Sequence, residues 1–334
     1  MSRVLTPPSA AQRSTAHLFA PIAADLEHVE RIYNETIANS KPALSRILEH
    51  LEHYRGKRLR PSLLLLTARA CGRVTQNHHI LGAVVEMVHT ATLVHDDVLD
   101  DAEVRRHQPT VNADWGNKAS ILLGDYLFTH AFHLSSTTGD AVACELIGEA
   151  TNRVCEGELQ QTLERGNLEL SEEQYFEIID AKTAALTACC CRLGAHFAGS
   201  AARDVDRLAN YGRLLGMAFQ VADDVLDVVG HERTAGKTLG TDMQQQKLTL
   251  PLIRLLDAVP APEAARLREL LSDPGDGRRD RIAEALARTD AVAYARQRAD
   301  RFAADAIAEL NDLPPSPAGE ILRALPNWAV RREM

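Results

Sequence analysis

The sequence contains no stretch of about 18 apolar residues free of charge, the length a membrane-crossing helix needs. The nearest approach, Ala184 to Ala202, is interrupted by Arg192 and His196. No membrane-spanning segment is therefore expected. Residues Met1 to Ala20 hold Pro7, Pro8 and Arg13 but no continuous apolar core, which argues against a signal peptide. No Cys-x-x-Cys pair occurs, which weakens the case for a zinc site or a dithiol redox motif. The cysteines fall at Cys71, Cys144, Cys155 and the run Cys189-Cys190-Cys191. The triplet, in an apolar stretch, reads as small buried hydrophobes in a reducing compartment, so the cytoplasm is expected. Basic excess is also absent. The net charge is −9, so no global field draws the chain to nucleic acid, and an anionic ligand must be held by local cations.

Helix-forming residues fill this space. Ala, Leu, Glu and Arg dominate nearly every window, Gly and Pro are sparse within long stretches, and β-branched alternation is rare. With prolines as boundaries, helices are predicted near 22–39, 42–54, 61–71, 76–101, 116–135, 139–164, 171–199, 203–230, 247–258, 262–272, 279–289 and 291–311. No fixed-period repeat and no low-complexity linker is present. The polar stretch Ser272 to Asp280 reads as a surface loop. The expectation is one all-α domain over residues 1–334.

Two acidic clusters stand on these helices. His95-Asp96-Asp97-Val98-Leu99-Asp100-Asp101 follows the apolar residues Ala91, Leu93 and Val94. A helix turns about 100° per residue, so Asp96 and Asp100 lie about 40° apart on one face, with Asp97 alongside. Gln220-Val221-Ala222-Asp223-Asp224-Val225-Leu226-Asp227 repeats the D-D-x-x-D spacing within another apolar helix. Each could be a solvated acidic face, since such runs are common. Two triads on otherwise apolar helices would, however, be expensive as structure alone. Crowded carboxylates call for cations, and oxygen ligands of this kind suit Mg²⁺ bound together with substrate phosphate.

Basic residues answer them. Gly56-Lys57-Arg58-Leu59-Arg60-Pro61 places Lys57 and Arg60 ahead of a new helix, with Pro61 suited to its first turn. Alone, this is more readily a basic surface turn. Arg105-Arg106 follow the first triad. Lys182-Thr183, Lys237 and Lys247 lie near the second in sequence, and each lone lysine reads equally as surface. His89 falls within about 20° of the Asp96 face, where it could reach a second diphosphate.

Together these residues resemble the trans-polyprenyl diphosphate synthases (polyprenyl synthetases). G-K-R-x-R-P (56–61), E-x-x-H-x-A-x-L-x-H-D-D-x-x-D (86–100), R-R (105–106) and G-N-x-A-S-x-L-x-G-D (116–125) occur in family order. K-T (182–183), Q-x-x-D-D-x-x-D (220–227), G-K-x-x-G-x-D (236–242) and K-x-T-L-P-L (247–252) follow. The likeness covers roughly 44–256; the helical part 257–334 carries no diagnostic motif. It implies the isoprenoid synthase fold, a helical bundle around a deep central cavity, as a homodimer. It also implies three Mg²⁺ per active site, on Asp96, Asp100 and Asp223, with Asp97, Asp224 and Asp227 in support. Arg105, Lys182, Thr183, Gln220, Lys237 and Lys247 would hold an allylic diphosphate, and Lys57, Arg60, His89 and Arg106 isopentenyl diphosphate. A peripheral membrane contact for product release fits the same picture. One departure is visible. Before Lys247 the family often carries Gly, whereas this chain has Gln244-Gln245-Gln246, so a differently shaped turn is expected.

Product length should depend on what lies below the first motif. Ala91 is five residues before Asp96, about 7–8 Å deeper along a helix, with Val88 further down and Phe132 as a candidate floor. In the family a bulky aromatic near here stops growth early. Small Ala91, and a flank similar to medium- and long-chain synthases, point to a hexaprenyl-to-decaprenyl product, octaprenyl centrally, for quinone side chains. The alternatives are a farnesyl or geranylgeranyl synthase, or a non-catalytic subunit of a heteromeric synthase. A terpene cyclase of the same fold is disfavoured by the intact second aspartate triad.

Overall fold

The computed structural model describes residues 19–38, 41–229, 241–272, 275 and 277–331. Its long helices are α1 (Ala23–Ala38), α2 (Leu59–Ala70), α3 (Gln76–Leu99), α4 (Asn117–Ser136), α5 (Ala141–Leu163), α6 (Glu172–Ile179), α7 (Ala185–Ala198) and α8 (Ala202–Val229). The C-terminal part adds α9 (Leu250–Ala258), α10 (Ala261–Ser272), α11 (Arg278–Ala287), α12 (Ala291–Ala308) and α13 (Pro317–Val330). Among the described residues the only sheet is the two-stranded ribbon β1 (Val104–Arg105) and β2 (Gln108–Pro109). No helix among them is long and apolar enough to cross a membrane.

Burial explains the arrangement. The run Leu63-Leu64-Leu65-Leu66 of α2 is fully buried and packs with Leu81, Val84 and Met87 of α3, Cys190 and Leu193 of α7, and Tyr211 of α8. The cysteine triplet is buried in α7, as small hydrophobes would be. A second core joins α6 and the distal half of α8 (Met217, Val221, Val225) to α9–α12. A third, smaller cluster sets Ala91 and Val94 of α3 against Leu123 and Leu127 of α4, with Leu51 and Tyr54 over them.

Glycines set two close approaches. A Cβ on Gly124 would lie 2.1 Å from the His95 ring, so α4 runs against the end of α3 where the first acidic cluster begins. A Cβ on Gly157 of α5 would lie 2.6 Å from the Lys182 backbone nitrogen.

Four local features depart from the periodicity reading. The expected helix 42–54 is a short helix, Ser45–His50, between 3₁₀ turns. The expected helix 171–199 is broken by a π-helical turn, Asp180–Ala184, between α6 and α7. The loop after the first triad is the β1–β2 ribbon, whose two central residues, Arg106 and His107, take φ of 52° and 62°. Helix α13 was hidden behind Pro314-Pro315. Ser316 caps it by accepting from the Gly319 amide, and Pro317 occupies its first turn, where no amide donor is needed.

Candidate functional site

The first acidic cluster closes α3, and its carboxylates diverge rather than crowd one face. Asp97 is fully buried and accepts from the Tyr54 hydroxyl at 2.5 Å and from Arg105 Nε at 2.8 Å. Asp100 faces the other way. It accepts from Arg165 Nη2 at 2.6 Å and from Lys247 Nζ at 3.2 Å. Asp96 feels the charges around both, Arg105 on one side and Asp100 on the other. Burial pushes its carboxyl up to about 6 against the pull of Lys182, and Glu158 pushes the same way.

The second cluster turns inward from α8. Asp224 accepts from the Tyr175 hydroxyl at 2.6 Å and from Gln220 Nε2 at 2.7 Å, while Thr183 donates to Gln220 Oε1 at 2.8 Å. Burial, then the neighbouring Asp242 carboxylate, pushes Asp224 up to about 8. Asp227 is buried and accepts from the Asp242 amide at 3.2 Å. Asp223 is placed apart, lining a cavity between α8, α12 and α13 with Arg296 and Arg331.

A small cavity of about 90 Å³ gathers Lys182, Thr183, Gln220, Asp224, Asp242 and Lys247. Lys247 reaches from it to Asp100, and Lys182 acts on Asp96, so both acidic helices border one cleft. The π-turn is what aims Lys182. Its ammonium contacts Glu158 at 2.5 Å and Gln161 at 2.8 Å. Burial alone would depress it, but Asp96 and Glu158 hold it above the usual lysine range. Lys237 lies outside the described residues.

A second group of cations collects around the start of α2. Lys57 stands 5.4 Å from the Trp328 ring centre. Burial lowers the Arg60 guanidinium, and its Nε is buried without a hydrogen-bond partner. Arg106 donates to the Tyr54 carbonyl at 2.6 Å. Burial, then Arg60 and Arg106, press His89 well below its ordinary range, so it is a neutral ring at pH 7. Arg58 is neutralised by Glu30 and Glu86. The rest form a basic nest whose mutual repulsion an anion would relieve.

Oxygen donors and surplus negative charge around Asp96 fit a hard divalent cation. Among the described residues no three His, Cys, Asp or Glu side chains form a ready-made cage. Mg²⁺ characteristically takes one or two carboxylates and completes its shell with phosphate and water, so this donor set suits it.

The residues expected to limit the product lie beneath the first cluster. Val88 and Ala91 are fully buried, Ala91 against α4, and Phe132 packs half-buried on the large core.

Several site residues escaped the sequence reading. Glu158 and Gln161 share a face of α5 by their i, i+3 spacing, a signal that could have found them. Tyr54, Tyr175 and Arg165 carry none; only folding brings them to the aspartates. The turn before Lys247 has a definite shape. It takes the left-handed form, at Gln246 with φ 55°. It is pinned by Lys247 N donating to Asp242 O at 2.8 Å and Gly166 N donating to Gln246 O at 2.9 Å. Left-handed backbone costs a side-chain-bearing residue about 1–2 kcal/mol, partly offset by glycine's unfolded-state entropy of about 0.5–1 kcal/mol. Gln246→Gly should therefore raise stability by roughly 0.5–1 kcal/mol in a urea melt; a lower midpoint would place the strain elsewhere.

The sequence matches the family described as Polyprenyl synthetase over residues 41–289. It is 35% identical over 313 residues to the octaprenyl diphosphate synthase of Escherichia coli, covering 93% of this chain and 97% of that one. It is 36% identical to a short chain isoprenyl diphosphate synthase of Methanothermobacter thermautotrophicus, covering 91% and 95%. The fold superposes with a TM-score of 0.90 on a polyprenyl synthase from Caulobacter crescentus complexed with calcium and isoprenyl diphosphate. The two are 35% identical, over 95% of this chain and 97% of that one.

Proposed function

Because the chain belongs to the polyprenyl synthetase family, we propose that it is a trans-prenyltransferase that adds isopentenyl diphosphate repeatedly to an allylic diphosphate. The observation that carries this is a pair of chemically distinct cation groups on either side of Asp96, which acts on both Lys182 and Arg60. One sets Lys182 and Lys247 in a cavity with Asp224, facing Asp96 and Asp100 of the first motif. The other is the nest of Lys57, Arg60, His89 and Arg106 at the start of α2, where Arg60 and Arg106 together depress His89.

Asp96 and Asp100 would hold Mg²⁺, and Asp223 would join them by turning from its own cavity toward the cleft, with three ions in the fully loaded site; bound there, Mg²⁺ would neutralise the departing diphosphate. The calcium bound in the Caulobacter crescentus polyprenyl synthase supports a divalent metal. Lys182, Lys247 and Arg105, with Lys237, Thr183 and Gln220, hold the allylic diphosphate. As the carbon–oxygen bond breaks, its electron pair leaves on the diphosphate and these cations receive the charge. The nest orients isopentenyl diphosphate so that its double bond attacks the allylic carbon. His89, neutral, acts there as a donor to phosphate oxygen and not as a charge. A proton then passes to the released diphosphate, and the apolar floor at Val88 and Ala91 excludes water from the cation.

A medium-to-long product, octaprenyl centrally and suited to a quinone side chain, rests on small Ala91. Exposed Ile121 and Leu122 on α4 and Leu159 and Leu163 on α5 support a homodimer. Helix α8 crosses both large cores, which supports one domain over 1–334. A cytoplasmic enzyme with peripheral membrane contact at product release fits a substrate that is soluble and a product that is not.

The test is a product-length assay with protein, Mg²⁺, farnesyl diphosphate and excess labelled isopentenyl diphosphate. A ladder ending at about six to ten isoprene units is expected for a barrier this far below the cleft. A stop at three or four units would leave the chemistry and overturn the length. No elongation from any allylic primer would point to a non-catalytic subunit. Ala91→Phe fills buried space beside Leu127 and should end the ladder several units earlier; an unchanged ladder would show that the chain runs elsewhere.

A further inference from the structure

Arg165 has no place in the assignments above, yet it makes the shortest contact to Asp100, 2.6 Å from Nη2 to Oδ1. It lies in the turn after α5, and its Nη1 donates to the Leu99 carbonyl at 3.3 Å. Its Nε is buried with no hydrogen-bond partner, which leaves one donor of the fork over for a ligand. Lys247 reaches the same carboxylate at 3.2 Å from a separate turn. The two turns are clipped together by Gly166 N donating to Gln246 O at 2.9 Å. One rigid unit therefore delivers two cations to a single carboxylate. The single carboxylate of Asp100 thus faces two positive charges, and an entering anion can take over one of them. Lys247 lines the small cavity directly, with Lys182 and Gln220, and the same cavity reaches Glu164, next to Arg165 in the chain.

We propose that Arg165 is a further diphosphate-binding residue, which trades Asp100 for phosphate oxygens when substrate enters. The inference rests on the prenyltransferase reading for its ligand. Its planar fork suits bidentate contact with phosphate, and the idle Nε supplies the second donor. In the empty site Arg165 keeps Asp100 paired. With diphosphate present, Asp100 is free for a divalent cation, and Arg165 stays within reach on its clip.

The two partners of the exchange respond in opposite directions. In Arg165→Gln, calorimetric titration with inorganic diphosphate at fixed Mg²⁺ should show affinity reduced about tenfold or more, the worth of a charged hydrogen bond. Mn²⁺ alone, followed by electron paramagnetic resonance, should bind the variant about two- to fivefold more tightly, because a competing counter-ion of Asp100 has gone. Arg165→Lys should recover part of the diphosphate affinity. Diphosphate binding within twofold of wild type would overturn the proposal. So would parallel losses of diphosphate affinity, Mn²⁺ affinity and melting temperature, which mark a structural tie. Neither titration requires turnover. A wild-type protein that binds diphosphate with help from Arg165 but never elongates a primer would sink the prenyltransferase reading and leave this exchange standing.

Discussion

Asp96→Ala should reduce turnover by about two to three orders of magnitude, the size typical for losing a group that stabilises developing charge, while leaving the fold intact. The argument starts from burial. Asp96 is buried near Lys182 and Glu158, and its carboxyl is pushed up to about 6. A raised carboxyl favours its protonated form in the folded protein. The stability it contributes is present in acid, below the ordinary carboxylate value, and is lost as pH rises through about 6. At pH 7 the metal-free protein therefore bears an ionised Asp96 at a cost, and removing it should leave the melting temperature unchanged or higher. A carboxylate kept at such a cost is one that structure alone does not explain. Divalent metal must find the ionised form, so its affinity in wild type should weaken below pH about 6 and release a proton on binding there. Calorimetry at pH 5.5 and 7.5 checks this. Near-normal turnover in the variant, or metal binding indifferent to pH, would remove Asp96 from the metal assignment.

That carboxylates of this kind belong to a site was legible from spacing alone. D-D-x-x-D on an apolar helix is a strong local signal, because helical geometry fixes which residues share a face. What spacing cannot give is the partner each side chain finds across the fold. Asp96, Asp97 and Asp100 read as one crowded face, yet Asp97 goes to Tyr54 and Arg105 and Asp100 to Arg165 and Lys247. Lys247 is 147 residues from Asp100, a pairing that only the closed bundle creates. Most long helices were legible for the same local reason: periodicity and prolines mark them. The exceptions share a cause in tertiary contact. The π-turn at Asp180–Ala184 lies against Gly157 of α5, and the left-handed Arg106-His107 turn is held where Arg106 reaches the Tyr54 carbonyl. Helix α13 was concealed differently, by prolines read as a stop when Pro317 is a start.

The π-turn also yields the second large effect. Gly157→Ala adds one methyl group, yet its Cβ would lie 2.6 Å from Lys182 N and 2.8 Å from Ala181 Cβ. The nearer atom is backbone, so no side chain can rotate away. The turn itself must move, taking with it the lysine that faces Asp96 and Glu158. Overpacking of this kind costs about 1–3 kcal/mol of stability. A displacement approaching an ångström at a substrate-positioning group costs about 10²-fold in rate. Loss of kcat beyond what the unfolded fraction explains is therefore expected in a variant that remains folded at 25 °C. Gly148→Ala is the matched control on the same helix. Its Cβ would meet only Phe132 Cε1, at 3.9 Å, so the ordinary gain of about 0.5–1 kcal/mol for replacing a helical glycine should appear, with unaltered turnover. If Gly157→Ala behaved like Gly148→Ala, the close approach of α5 would not be what holds Lys182 in the cleft. If both lost activity equally, the effect would belong to α5 as a whole. The asymmetry between two glycines nine positions apart isolates the contact that turns a strained backbone into a positioned ammonium.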